Sequence, residues 1–338
     1  MASPVVSIVL PVRNGAATLD RAIHSIVAQG FEDWELVVVD DGSTDTTADC
    51  LRSWVRRDTR IRIYPTQYQG LVAALNHGVA MSAGSFIARM DADDEMRSDR
   101  LSRQLELFES DPRLGLVSCR VEFGGDRNTS AGYALHVDWL NSLVKPVEIT
   151  RSRFVESPLA HPSVMWRRSV WEQHGGYRTG DFPEDYELWL RWLEVGVRMQ
   201  KVPAPLMIWH DSPGRLSRTD QRYHPEAFHR VKAPYVAREL RRAGHGRKVW
   251  VAGAGRPTRK RAAWLEREGV TIAGYLDLDP RKIGQSFGGR PVISPDDLPS
   301  SREAMVVSYL GKRGARQAVQ NDLLGRGFIE GVDFWLCA

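Results

Sequence analysis

The strongest constraint on the fold is an alternation, in the N-terminal part of the chain, between short apolar runs and segments with apolar residues at helical spacing. Val5 to Leu10 is the first run, and Glu35 to Val39, Ile61 to Tyr64 and Phe86 to Met90 follow it. Runs of this kind mark strands buried on both faces, as in a parallel sheet covered by helices. Between them lie Thr18 to Gln29, with Leu19, Ile23, Ile26 and Val27 at helical spacing, then Thr46 to Val55, then Gly70 to Ala83, with Leu71, Ala74, Leu75 and Val79 on one face. Strand and helix in turn, with short links, predict an α/β doubly wound parallel sheet. Ligands in such sheets bind beyond the carboxyl ends of the strands.

Two acidic clusters fall at such ends. Asp40 and Asp41 open the stretch DDGSTD after the second run, and Asp91, Asp93 and Asp94 lie in the loop after the fourth. Three carboxylates within four residues repel one another unless a cation, or the loop's own donors, compensates them. The DxDD stretch is therefore either a metal site or a solvated acidic turn. DDGSTD is either a ligand edge or a helix cap. Their equal placement favours one shared ligand.

At 338 residues the chain is long enough for two medium domains with cores of their own. Its net charge of +4 comes partly from basic runs such as Arg56 to Arg62, Arg238 to Lys248 and Arg256 to Arg261. Solvated helix faces account for most such runs, and contact with phosphates or anionic lipid is the alternative. Nothing indicates specific nucleic-acid recognition. The opening MASPVVSIVLPVRNG has no basic region followed by a long apolar segment, so no signal peptide is expected. No apolar run approaches the ~18 residues of a membrane helix. Cys50, Cys119 and Cys337 are widely spaced and odd in number, which fits a reduced, cytoplasmic setting. Peripheral association with the inner face of the membrane, through basic residues, is compatible with it.

Further along, a helix is expected over Arg100 to Glu109 and a strand over Leu114 to Phe123. Residues 124–160 read as irregular, a substrate-facing loop or lid. His161 to Trp166 is strand-like, and Arg168 to His174 reads as a helix stopped by Gly175-Gly176. Pro183-Glu184-Asp185 opens a helix in which Tyr186, Trp189, Leu190, Leu193 and Val197 share a face. Trp166, Trp171, Trp189 and Trp192 are either core residues or a platform for a sugar ring.

Taken in order, SIVLPVRNG at 7–15, VVVDDGSTDTT at 37–47, GLVAALNHGVAMSAGSFIARMDADD at 70–94, HPSVMWRR at 161–168, and GGYR followed by FPEDYELWLRW resemble the family 2 glycosyltransferases of the GT-A fold. The resemblance spans residues 5–220 and implies an inverting enzyme that uses a nucleoside-diphosphate sugar, with uridine as the base. It places Pro11, Val12, Arg13, Asn14 and Asp41 along the donor nucleotide, with Gly70 and Asn76 in the same set. Asp91-Ala92-Asp93 matches the family's DxD motif, in which the first carboxylate faces the ribose side and the last holds a divalent cation, with Asp94 assisting. Oxygen ligands with few fixed protein positions suit Mg²⁺ or Mn²⁺. Asp185 matches the family's catalytic base, and Glu184, His161 and Trp189 would lie on the acceptor side. One departure concerns the metal: many relatives carry a histidine after the base helix, and in WHDSPGRLS either His210 or Asp211 takes that place. The acceptor is a saccharide, a lipid-linked saccharide or a protein, as in surface polysaccharide or glycoconjugate synthesis.

The expected domains are a GT-A catalytic domain over residues 1–222, a helical linker over 223–246 and a second, smaller Rossmann-like α/β domain over 247–338. In the last, Lys248 to Gly255 reads as a buried strand and a Gly-rich turn. The segment YLDLDPRKIGQSFGGRPVISPDDL resembles the Rossmann-like domains of sugar-modifying acyltransferases. The fingerprint's third glycine is absent and Pro257 sits where the helix begins, so a structural or docking domain competes with a nucleotide site. Two rival readings of the whole chain remain: a sugar-nucleotide-modifying oxidoreductase and a catalytically silent nucleotide-sugar-binding module. No Tyr-x-x-x-Lys pair follows Gly255, which disfavours the first, and Asp91, Asp93 and Asp185 are all present, which disfavours the second.

Overall fold

The computed structural model describes residues 3–212, 214–244, 246–312 and 314–338. In chain order the elements are β1 (Val6–Val12), α1 (Leu19–Val27), β2 (Trp34–Asp41), α2 (Thr47–Arg57), β3 (Ile61–Thr66), α3 (Leu71–Met81), β4 (Phe86–Arg89), β5 (Glu95–Met96), α4 (Arg100–Ser110) and β6 (Leu114–Phe123). They continue as α5 (Ala131–Ser142), α6 (Pro146–Ser152), β7 (Met165–Arg167), α7 (Arg168–His174), α8 (Glu184–Glu194), β8 (Arg198–Trp209) and α9 (Leu216–Thr219). The remainder is α10 (Pro225–Gly244), β9 (Lys248–Ala252), α11 (Arg256–Arg267), β10 (Ile272–Leu276), β11 (Ser286–Phe287), β12 (Arg290–Ile293), β13 (Ala304–Ser308), α12 (Ala315–Gly325) and β14 (Phe334–Leu336).

Two compact units emerge. The first comprises residues 1–149, 158–179 and 192–218, and the second 150–157, 180–191 and 219–338. The first is built on a sheet of eight strands in the order β3-β2-β1-β4-β7-β6-β8-β5. β1, β2, β3 and β4 run parallel, whereas β7 is antiparallel to both β4 and β6, so the sheet is mixed. Every residue of β1 and β2 is buried, as their unbroken apolar runs require. Leu19, Ala22, Ile23 and Ile26 of α1 seal one face of the core together with Leu101, Leu105 and Phe108 of α4.

Because β1 to β4 are parallel, their carboxyl ends share one edge, and the two acidic clusters lie there. The turn after β2 depends on Gly42, whose φ is 70° and whose Cβ would lie 2.9 Å from the backbone nitrogen of Tyr68. Neither a positive φ nor that approach suits a side chain.

The sheet of the second unit runs β11-β12-β10-β9-β13-β14, with β12, β10, β9, β13 and β14 parallel and β11 antiparallel to β12. The helix expected in the linker at 223–246 is α10, and it counts with this unit. Its Val231, Val236, Ala237 and Leu240 pack with Phe154, Tyr186 and Leu190 and with Val249 and Val251 of the sheet. Lys232 is buried among them, and its Nζ donates to the carbonyls of Phe154 (2.7 Å), Val155 (3.1 Å) and Cys337 (2.9 Å). Burial lowers its pKa to about 8.

Residues 124–160, expected to be irregular, hold α5 and α6. In α5 the buried Ala134, Val137 and Leu140 are interleaved with the exposed Leu135, which blurs the helical pattern in the sequence. His161–Ser163 forms a single 3₁₀ turn ahead of β7. α8 ends at Glu194, before the expected Val197, and Gly196 at φ 87° turns the chain away.

Candidate active site

Asp91, Asp93 and Asp94 follow β4, and each offers a carboxylate oxygen within 4.8 Å of the others. Asp94 is 1% exposed, with Oδ1 accepting from the His210 backbone N–H at 2.8 Å and Oδ2 buried without a hydrogen-bond partner among the described residues. Burial, then the charges of Asp91 and Asp93, push the Asp94 carboxyl well above the usual carboxylate range. Burial and Asp91 raise Asp93 in the same way, opposed by Arg215 and Arg89. An orphaned anionic oxygen among crowded carboxylates is what a divalent cation would relieve, and an all-oxygen donor set suits Mg²⁺ or Mn²⁺. The residues present therefore fit such an ion.

The loop is held by a two-residue pairing. Glu95 and Met96 of β5 lie antiparallel to Ile208 and Met207 of β8, which brings His210 to the acid cluster. The His210 ring is 2.7 Å from Glu95 Oε1 through Nε2, and Arg21 holds Glu95 at 3.2 Å while donating to the Asp93 carbonyl at 3.0 Å. Asp211 instead accepts from Arg218 and from Ser130 Oγ at 2.9 Å. Arg215 covers the Trp209 ring at 4.5 Å and donates to the His210 carbonyl at 2.9 Å.

Two strands away in the same sheet, about 10 Å by ordinary strand spacing, lies the second acidic edge. Asp41 is buried and accepts from the backbone N–H groups of Gln69 and Gly70, both at 2.8 Å, which fixes the link between β3 and α3. Between the two edges comes the turn after β1. Pro11 and Val12 are buried, the Arg13 guanidinium lies 3.8 Å over the Tyr68 ring, and Asn14, at φ 52°, accepts from the Thr44 N–H at 2.8 Å. Ala92 packs beside Gly15, so this turn meets the DxD loop.

The family profile described as Glycosyl transferase family 2 matches residues 7–175, half of the chain. The chain belongs to glycosyltransferase family 2. It is 25% identical over 252 residues to an uncharacterized glycosyltransferase of Haemophilus influenzae, covering 73% of this chain and 77% of that one. It is 27% identical over 194 residues to the chondroitin synthase of Pasteurella multocida, covering 57% of this chain and 19% of the relative. Among solved structures, S. aureus TarS 1–349 in complex with UDP-GlcNAc superposes with a TM-score of 0.56 at 15% identity, covering 78% of this chain and 71% of TarS. The fold is thus the GT-A fold, joined to a second α/β sheet.

In this glycosyltransferase the remaining expected residues fall into two groups. Asn76 clamps Tyr177, accepting from its N–H at 3.1 Å and donating to its carbonyl at 3.0 Å. The Tyr177 hydroxyl lies 2.6 Å from Nε2 of His161, a ring whose burial and nearness to Arg89 hold its pKa well below the usual value. Both residues are therefore built into the first unit. Trp166, Trp171 and Trp192 pack on one another, with Trp166 and Trp171 stacked at 6.0 Å, and Trp166 and Trp192 wholly buried. Trp189 is also fully buried, which makes it a core residue. The second group opens α8 in the second unit, beyond the residues that the profile matches. Glu184 is buried and accepts from the Tyr223 hydroxyl through both oxygens at 2.8 Å. Asp185 is half-buried in the first helical turn, with Oδ1 accepting from the Tyr186 N–H at 2.7 Å.

Two buried arginines that no motif singles out, Arg89 and Arg100, stand on and beside the acid cluster's strand. Arg89 is 2% exposed and paired with Asp91. Arg100 is fully buried and donates to the carbonyls of Arg89 (3.1 Å) and Val164 (3.3 Å). An arginine ending a short apolar strand just before DxDD was the available signal for the first.

Proposed function

We propose that this glycosyltransferase is metal-dependent and inverting, and that it moves a sugar from a uridine-diphosphate donor to a hydroxyl of a growing polysaccharide. The observation that carries the reading is the Asp91, Asp93 and Asp94 cluster at the carboxyl edge of the sheet, with a buried oxygen on Asp94 that has no hydrogen-bond partner among the described residues. Asp93 and Asp94 would hold Mg²⁺ or Mn²⁺. When bound, the ion supplies positive charge to the leaving diphosphate.

The protein's own residues do the rest. Asp41 orders the link from Gln69 to Gly70, and the turn from Pro11 to Asn14 forms the floor against which the nucleotide lies. Asp185 takes the proton of the attacking hydroxyl, and a single displacement inverts the anomeric centre. The first turn of α8 favours its ionised form, and Glu184, already engaged by Tyr223, is spared that task. The uridine base is supported by the UDP-GlcNAc bound to TarS, and the polysaccharide acceptor by the chondroitin synthase among the relatives. Among the described residues no helix is long and apolar enough to cross a membrane. We place the enzyme in the cytoplasm, with basic residues available to an anionic membrane surface.

The test is release of nucleoside diphosphate from a panel of nucleotide sugars with Mn²⁺ and a saccharide acceptor. Asp93→Ala should lose metal and donor binding together. Asp185→Asn should keep both and lose transfer. Normal transfer by Asp185→Asn would remove the base assignment, and full metal binding by Asp93→Ala would remove the metal assignment.

A further inference from the structure

We infer that Arg89 is a positioning residue of the donor site: its buried ion pair keeps the Asp91 carboxylate off the cation, so that Asp93 and Asp94 alone present oxygen to the metal. The inference rests on the metal-dependent reading above and divides labour within it.

Arg89 ends β4 opposite Val9 of β1, in the middle of the sheet, and is 2% exposed. A guanidinium in that position is expensive unless it is paired. Its backbone is fixed from two sides, by its N–H on the Val164 carbonyl at 3.0 Å and by Arg100 on its own carbonyl. Behind it stand Tyr177 and His161, themselves locked by Asn76. An arginine kept for stability alone would bond its N–H groups throughout. Arg89 leaves Nε buried without a partner among the described residues and commits Nη1 to Asp91 Oδ1.

The consequence lies in which oxygens are left. Asp91 is 28% exposed, so with Oδ1 held by Arg89 its other oxygen is available to a donor hydroxyl. Asp94 Oδ2 is buried and has no hydrogen-bond partner among the described residues. All three carboxylates are close enough to share one cation, and Arg89 decides that one of them does not. Arg89 touches neither donor nor ion. It acts through Asp91.

The experiment measures binding of Mn²⁺ alone, by electron paramagnetic resonance, and then of UDP at saturating Mn²⁺, by calorimetry. Both use the full chain, with thermal melts to verify folding. Arg89→Met frees Asp91 as a third anionic ligand, so Mn²⁺ should bind roughly tenfold tighter while UDP binds more weakly. Arg89→Lys should restore both toward wild type. The deciding variant is Arg89→Met with Asp91→Asn, which removes the ion pair as a neutral unit, a change that folded proteins often tolerate. It should bind Mn²⁺ within about threefold of wild type, less than the loss of one ligand charge would bring. If that double variant binds Mn²⁺ as weakly as Asp93→Asn, Asp91 is a ligand and the inference fails. It fails also if folded Arg89→Met matches wild type for both Mn²⁺ and UDP. A wild-type chain that takes up no Mn²⁺ sinks the metal reading itself, which is a separate outcome.

Discussion

Lys201 shows how far the first unit will bury a charge outside its acid cluster. The residue is 0% exposed, its Nζ donates to the Leu140 carbonyl at 2.5 Å, and burial brings its pKa from 10.5 down to about 7. The unfolded chain then holds a proton that the folded chain has released between about pH 7 and 10. Stability should therefore rise with pH across that window, by up to about 1.4 kcal/mol per unit, and be flat in this respect below it. Urea unfolding of wild type and Lys201→Met from pH 6 to 10 checks the sign: the variant's advantage should be largest at pH 6 and shrink as pH rises. At this scale the acid cluster was legible, because Asp91, Asp93 and Asp94 are neighbours in the chain. Arg89 was not, because the value of a buried guanidinium depends on what the fold sets beside it.

At the level of elements, short pairings place the chemistry. The two-residue strand β5 ties the loop that carries the acids to the end of β8, and this pairing puts the His210 backbone on Asp94 and its ring on Glu95. The sequence left His210 and Asp211 open for the place near the metal. The structure commits Asp211 to Arg218 and Ser130, and sets His210 against the cluster. In α8, the buried Glu184 shares both oxygens with Tyr223, which comes just before α10. Tyr223→Phe removes a donor from a buried carboxylate, and the loss should be about 1–3 kcal/mol. A thermal melt would register it, and an unchanged melting temperature would show that other donors hold Glu184. The expected strands over the first 123 residues match the structure within a residue or two, since uninterrupted apolar runs are strong local signals. Helices α5 and α6 were missed because their apolar stripe is broken by exposed apolar residues such as Leu135 and Val147.

For the whole molecule, chain order and compact unit do not coincide. Segments 150–157 and 180–191, which precede the boundary expected at 222, count with the second unit. Phe154, Tyr186 and Leu190 belong to its core with Val236, Leu240 and Val251. A fragment of residues 1–222 would leave those three side chains without their partners, at about 1.5–3 kcal/mol each for the aliphatic and aromatic burial lost. Expressed alone, that fragment should be poorly soluble or melt without cooperativity. A sharp, soluble melt would show that the first unit does not depend on the second unit's core. The α/β class, the positions of β1 to β4 and the acidic ends of β2 and β4 could be read from the residues alone, because strand burial and turn chemistry are local in the chain. It took the folded chain to show that Asp91 faces Arg89, that Asp94 is buried beside His210, and that the segment carrying Asp185 belongs with the second unit. The last two turn on burial against residues far away in sequence, which no local pattern records; Arg89 and Asp91 are close in the chain, but their pairing depends on how deeply the fold buries the guanidinium.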